Sequence, residues 1–188
     1  MYTVYEGQRA LIRPFRDVDE YLTLVHEELE CGNDQWGPHH WPIAGQRREF
    51  EPAGYIAESG MNIFAVACRE SGSLIGYEES STGVLPGISA YLGTFIRPAW
   101  QGRGYGVEAK QLMACYLFEN YPLESLFAIT VATHAAAIRG MELCGMRQAG
   151  LKPCVHWRHG QREGTLSFQL LRSDWAAMDY RHAVRRAS

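Results

Sequence analysis

Gly93-Thr94-Phe95-Ile96-Arg97-Pro98-Ala99-Trp100-Gln101-Gly102-Arg103-Gly104-Tyr105-Gly106-Val107-Glu108-Ala109-Lys110 joins a strand pattern to a helix pattern through a glycine-rich loop. Residues 88–96 read as a strand that Pro98 ends, and residues 104–121 as a long helix that Pro122 stops. Glycines in residues 101–106 let the backbone approach an anion closely. The first turn of the helix that follows offers N–H groups with no intrahelical acceptor. Arg103 adds a positive charge, so a pyrophosphate suits the loop; a glycine-rich turn without a ligand is the other reading. The Gly-Lys-Ser/Thr tail of a P-loop is absent. So are the third glycine, the short βαβ setting and the acidic residue of a dinucleotide fingerprint.

Outward from this stretch, residues 126–131 form a buried strand pattern. Together, residues 88–131 make a strand–helix–strand unit able to set two strands in parallel by a right-handed crossover. Residues 9–14 begin as a strand. Asp17 and Glu20 make a D-x-x-E start for a helix carrying Val18, Tyr21, Leu22, Val25 and Leu29 at helical spacing, with a stop at Cys31-Gly32-Asn33. Residues 34–45 are irregular and hold Trp36, His39, His40 and Trp41; residues 46–59 read as a more polar helix. Strands follow over 61–69 and 74–80, and a short helix over 135–144 ends at Gly145. Two closing strands lie near 154–158 and 165–171 around a turn at 159–161. On the long helix, Glu108, Gln111 and Glu119 share a polar stripe opposite Ala109, Leu112, Met113, Tyr116 and Leu117. The expected class is α/β (α+β): a mixed, mostly antiparallel central sheet flanked by helices.

With 188 residues, the chain fits one domain of residues 1–188, with a core over about 8–175 and a tail over 176–188. Hydrophobic residues make up 46% and aromatics 12%, which argues against disorder. A net charge of −3 gives no electrostatic footprint for nucleic acid, and the basic residues of 181–186 read as a solvated tail. Five cysteines without a CxxC pair, no signal-peptide pattern and no long apolar run point to a reducing cytoplasm and no membrane span. His156 and His159 lack a partner set with ligand spacing, so no metal is expected.

The 93–110 segment resembles the acyl-CoA-binding motif Q/R-x-x-G-x-G/A of the GNAT acetyltransferases, matched by Gln101, Gly104 and Gly106. Ile12-Arg13-Pro14 with Asp17 resembles the family's first strand and helix start. Leu143-Cys144-Gly145-Met146 resembles the end of its last helix. Leu170-Leu171-Arg172-Ser173-Asp174-Trp175 resembles the C-terminus of its RimJ/RimL-like branch. The resemblance implies the GNAT acyl-CoA N-acyltransferase fold and acetyl-CoA (coenzyme A) as acyl donor. It also implies direct attack on the thioester by an amine of a small molecule or a peptide N-terminus, and, in this branch, frequent pairing into homodimers. Phe95 and Ile96 would pair their backbone with the pantetheine arm. Gln101, Gly102, Arg103, Gly104, Tyr105 and Gly106 would hold the pyrophosphate, with His134 and Arg139 also on the cofactor side. Three positions depart from the pattern: His134 stands where Asn is frequent, Met141 where a Tyr acid is frequent, and Tyr91 where Glu is frequent in the branch.

The chemistry needs a neutral amine. One with the lysine pKa of about 10.4 is neutral roughly once in 10³ molecules at pH 7, so a base of pKa near 7 helps. His39 and His40 are the first candidates, with ordinary loop histidines as the alternative. Tyr91 could orient the amine or protonate the thiolate, or simply pack on the sheet. Trp36 and Trp41 could wall the acceptor pocket. Glu78 is the carboxylate expected to meet the acceptor, although by alternation at most one of Glu78 and Glu79 faces the cleft, and solvent exposure is the alternative for both. Cys144, on the last turn of its helix, is a poor nucleophile. Competing functions are the same fold with a longer acyl-CoA or an aminoacyl-tRNA as donor, and a silent acyl-CoA-binding module.

Overall fold

The computed structural model describes residues 3–31, 43–50, 54–56, 61–82, 88–158 and 161–188. Its strands are β1 (Val4–Glu6), β2 (Ala10–Arg13), β3 (Met61–Cys68), β4 (Leu74–Thr82), β5 (Ser89–Ile96), β6 (Ser125–Val131), β7 (Arg147–Arg158), β8 (Gln161–Leu171) and β9 (Arg185–Ala187). The helices are α1 (Val18–Glu30), α2 (Ile43–Phe50), α3 (Tyr105–Asn120), α4 (Ala135–Leu143), α5 (Arg172–Ala176) and α6 (Tyr180–Ala183). The described strands form one sheet in the order β7-β8-β6-β5-β4-β3-β2-β1-β9. Every pairing is antiparallel except β5 with β6, where the crossover through α3 sets the strands parallel.

Alternation along β3 splits the core. Phe64 and Val66 join the cluster around α3, while Ile63 and Ala65 join the cluster around α1 with Tyr21, Leu24 and Val25. The sheet thus carries α3 on one face and α1 on the other. α1 starts at the expected cap: Asp17 Oδ1 accepts the Glu20 N–H at 2.9 Å. Glu20 turns back to Arg13, whose two terminal nitrogens each donate to it at 2.9 Å, and to the Arg16 N–H at 2.9 Å. Burial alone would raise the Glu20 pKa, but these donors bring it below the ordinary carboxylate value.

α3 departs from the expected two-faced helix. Residues Leu112 to Phe118 are all buried, and so are Glu108 and Lys110. Glu108 leaves the expected polar stripe because Arg9 covers it: its oxygens accept from the Arg9 backbone N–H at 2.9 Å and from Arg9 Nε at 3.3 Å.

Other differences lie at the ends of the elements. α2 spans Ile43–Phe50, earlier and shorter than expected. β7 begins at Arg147 and β8 at Gln161, both longer than their sequence patterns. β1 had no counterpart in the sequence reading. Residues 176–188 do not trail free of the core: β9 pairs antiparallel with β1, Val184 is buried, and Arg186 forks onto Glu119 at 2.6–2.7 Å.

Candidate active site

β5 keeps its ladder with β4 along its length, from Gly76↔Ile96 to Thr82↔Ala90. Its parallel ladder with β6 covers only Ser89↔Ser125 to Leu92↔Ala128. Beyond that point β6 continues beside β8 while β5 runs on through Gly93–Ile96 with none of the described strands paired on that side. The two strands splay, and a cleft of about 810 Å³ opens through the sheet. That volume lies in the range of small-molecule and cofactor sites.

One end of the cleft is the loop before α3. Pro98–Trp100 makes a single 3₁₀ turn, after which Gly102 (φ 71°) and Gly104 (φ 83°) take left-handed backbone that disfavours side chains. Gly104 is the N-cap of α3, and its carbonyl accepts the first helical bond, from the Glu108 N–H at 3.1 Å. The amides just before Glu108 therefore have no acceptor in the helix and form an anion-binding end. Arg9, which the sequence reading did not single out, braces this loop through a 2.8 Å bond from Nη1 to the Arg103 carbonyl. Gln101 braces it from inside, its side-chain amide donating to the Ile96 carbonyl at 2.8 Å. Both contacts join distant or folded-back segments and leave no periodic signal.

Gln101, Gly102, Gly104, Tyr105, Gly106, Ile96, His134 and Arg139 line the cleft; Phe95 and Arg103 do not. The Phe95 side chain is buried on the α1 side beside Tyr77, so only its backbone is at hand on the open strand edge. Arg103 lies over the Trp100 ring at 5.9 Å. His134 is the N-cap residue of α4 and makes no side-chain cap bond; its Nδ1 is 3.4 Å from Thr130 Oγ1. Arg139 pairs with Glu142 at 3.7 Å. Arg97 turns away from the loop to Glu27 of α1, at 2.6 Å.

The opposite end of the cleft lies between α1, β3, β4 and β5. Tyr91 lines it, 41% exposed, its ring packed near Phe127. Glu28 lines it too and accepts a 2.5 Å hydrogen bond from the Tyr77 hydroxyl. The carboxylate facing the cleft from β4 is Glu79, not Glu78. Glu79 passes over Gly93, where a Cβ would fall 2.4 Å from its Oε1. Burial raises its pKa above the ordinary value, with Lys110 pulling the other way. Glu78 points to the α3 side, fully buried, with Oε1 at 3.2 Å from Lys110 Nζ. Burial pushes it up to about 7, against Lys110 and Thr94.

Met141 is buried at the cleft wall and offers no proton. Cys144, one turn on, has its thiol pushed up to about 12 by burial, which removes it as a nucleophile at neutral pH. Trp36, His39, His40 and Trp41 lie outside the described residues.

Residues 9–147 match the acetyltransferase (GNAT) domain. Among solved structures, the chain resembles the acetyltransferase (GNAT family) from Bacillus anthracis at 18% identity and a TM-score of 0.74, covering 90% of this chain and 98% of that one. It also resembles spermidine N-acetyltransferase from Vibrio cholerae in complex with CoA and spermine (17%, TM-score 0.76, 89% and 98%). A third likeness is to ribosomal-protein-S5-alanine acetyltransferase from Vibrio fischeri (14%, TM-score 0.72, 92% and 98%).

Proposed function

The chain belongs to the GNAT acetyltransferase family, and from that premise we propose that it transfers an acetyl group from acetyl-CoA to a primary amine by direct attack on the thioester. The observation that carries this reading is the splay of β5 from β6 after Leu92↔Ala128, opening onto the N-terminus of α3. An extended chain of amides can add to the free edge of β5 as a strand would. Its pyrophosphate then meets the amides of residues 102–106, where the helix end favours negative charge.

The acceptor amine enters from the α1 side. Glu79 stands there as a half-buried carboxylate within the cleft, and it is our candidate for the base that takes the amine's proton. Glu28 and Tyr91 offer polar contacts to orient the amine. Once the amine is neutral, its nitrogen attacks the carbonyl carbon, the C–N bond forms and the C–S bond breaks. No enzyme nucleophile is needed, in keeping with the inert Cys144.

Calorimetry with acetyl-CoA, coenzyme A and NAD tests the proposal. Selective binding of the two coenzyme A species supports it, followed by thiol release on a panel of α-amines, diamines and lysine-type amines. Absence of binding by either species overturns it; binding without turnover on any amine leaves only a carrier of acyl-CoA.

A further inference from the structure

Lys110 lies on the second turn of α3 with its side chain 9% exposed. Its ammonium donates to Glu78 Oε1 at 3.2 Å and to Thr94 Oγ1 at 2.5 Å. Glu78 is fully buried, and its second oxygen, Oε2, has no hydrogen-bond partner among the described residues. Lys110 and Thr94 line the cleft, whereas Glu78 stands behind them. Burying two charges is costly, and a well-packed apolar pair of similar volume is often as stable or more so. The pair is therefore poor value as a structural device. A lysine at the wall of a reaction cleft has a use that an apolar residue does not.

Tyr91, Tyr105 and His134 also line the cleft, but Lys110 is held there by a fully buried carboxylate. Met141, on the same wall, donates no proton, and Cys144 beyond it is held neutral by burial. The titratable and charged groups whose interaction with Lys110 is resolved are Glu78 and Glu79 from β4 and Cys144 from α4. We propose that the Lys110 ammonium, aimed by Glu78 and Thr94, protonates the coenzyme A sulfur as the acyl group leaves. The inference rests on the acyl-donor reading above.

The step balances without another reactant. The acceptor nitrogen bonds to the carbonyl carbon, and the C–S electron pair goes to sulfur. Lys110 Nζ gives sulfur a proton. The acylated nitrogen loses one proton, through Glu79 or solvent, and Lys110 regains one. The net movement is one proton from nitrogen to sulfur. Glu78 and Thr94 act through Lys110 and are positioning residues.

The test is the ionisation of the thiol of bound coenzyme A, followed by the ultraviolet absorbance of the thiolate as pH is varied. A nearby ammonium favours the thiolate. Lys110→Met should therefore raise the bound thiol pKa by about one unit or more. Glu78→Gln removes the opposing charge and should lower it, a sign that a purely structural role for Glu78 would not produce. Acetyl transfer by Lys110→Met should fall on the order of 10²-fold, with coenzyme A affinity changed only a few-fold. If Lys110→Met fails to fold, the double variant Glu78→Gln/Lys110→Met removes both buried charges and carries the same measurement. A bound thiol pKa no higher in the double variant than in Glu78→Gln alone overturns the proposal. Failure of the wild type to bind coenzyme A overturns the acyl-donor reading, and this one with it.

Discussion

At Gly93 a Cβ would collide with Glu79, so the missing side chain is what lets that carboxylate cross β5 into the cleft. Burial raises its pKa. The ionised base is then lost at higher pH than an ordinary carboxylate would be, and activity should fall as pH drops through that raised value. Glu79→Gln is expected to lower kcat/KM about 10²-fold and to abolish this acid limb, with acetyl-CoA affinity unchanged; steady-state rates across pH, alongside calorimetry, check it. Alternation in the sequence allowed at most one of Glu78 and Glu79 to face the cleft. Which one depends on how β4 registers with β5, and that register is fixed by contacts between strands rather than by either strand's own pattern. For the same reason the Glu78–Lys110 pair was invisible: its partners are 32 residues apart.

At the scale of elements, α3 was legible in position but not in setting. Its glycine-rich start and proline stop placed its ends within a residue, and Leu112, Met113 and Tyr116 were rightly read as core. Its polar stripe was not, because Arg9, just before β2, covers Glu108 and turns a surface position into a buried one. That clamp and the left-handed Gly104 hold the anion-binding end of the helix open. Gly104→Val meets two obstacles: a left-handed backbone that costs a side-chain-bearing residue roughly 1–2 kcal/mol or more, and Arg9 Nη2 at 2.8 Å from the new Cβ. The expected result is about a tenfold or greater loss of acetyl-CoA affinity in a protein that keeps its far-ultraviolet circular dichroism.

For the molecule as a whole, the central strands and their order along the chain were readable because each holds a run of apolar or β-branched residues bounded by turn residues. β1 and β9 were not, since each has only three residues, and β9 forms by pairing with a strand about 180 residues away. β9 covers β1, and Arg186 ties it to Glu119 beside Tyr5. Deleting residues 180–188 uncovers β1 and strips its neighbours of Val184 and Arg186. A melting temperature lower by roughly 5 °C or more is expected, with self-association through the bared edge; thermal unfolding and size-exclusion chromatography read both. The open edge of β5 is a different case. A rim strand can zip onto a neighbouring molecule, but Gly93–Ile96 lies inside the sheet, with β6 and β8 standing across the gap. Such an edge is exposed yet quarantined: it admits one slender extended guest and shuts out another sheet, so the protein keeps a sticky surface permanently open without risk of polymerising through it.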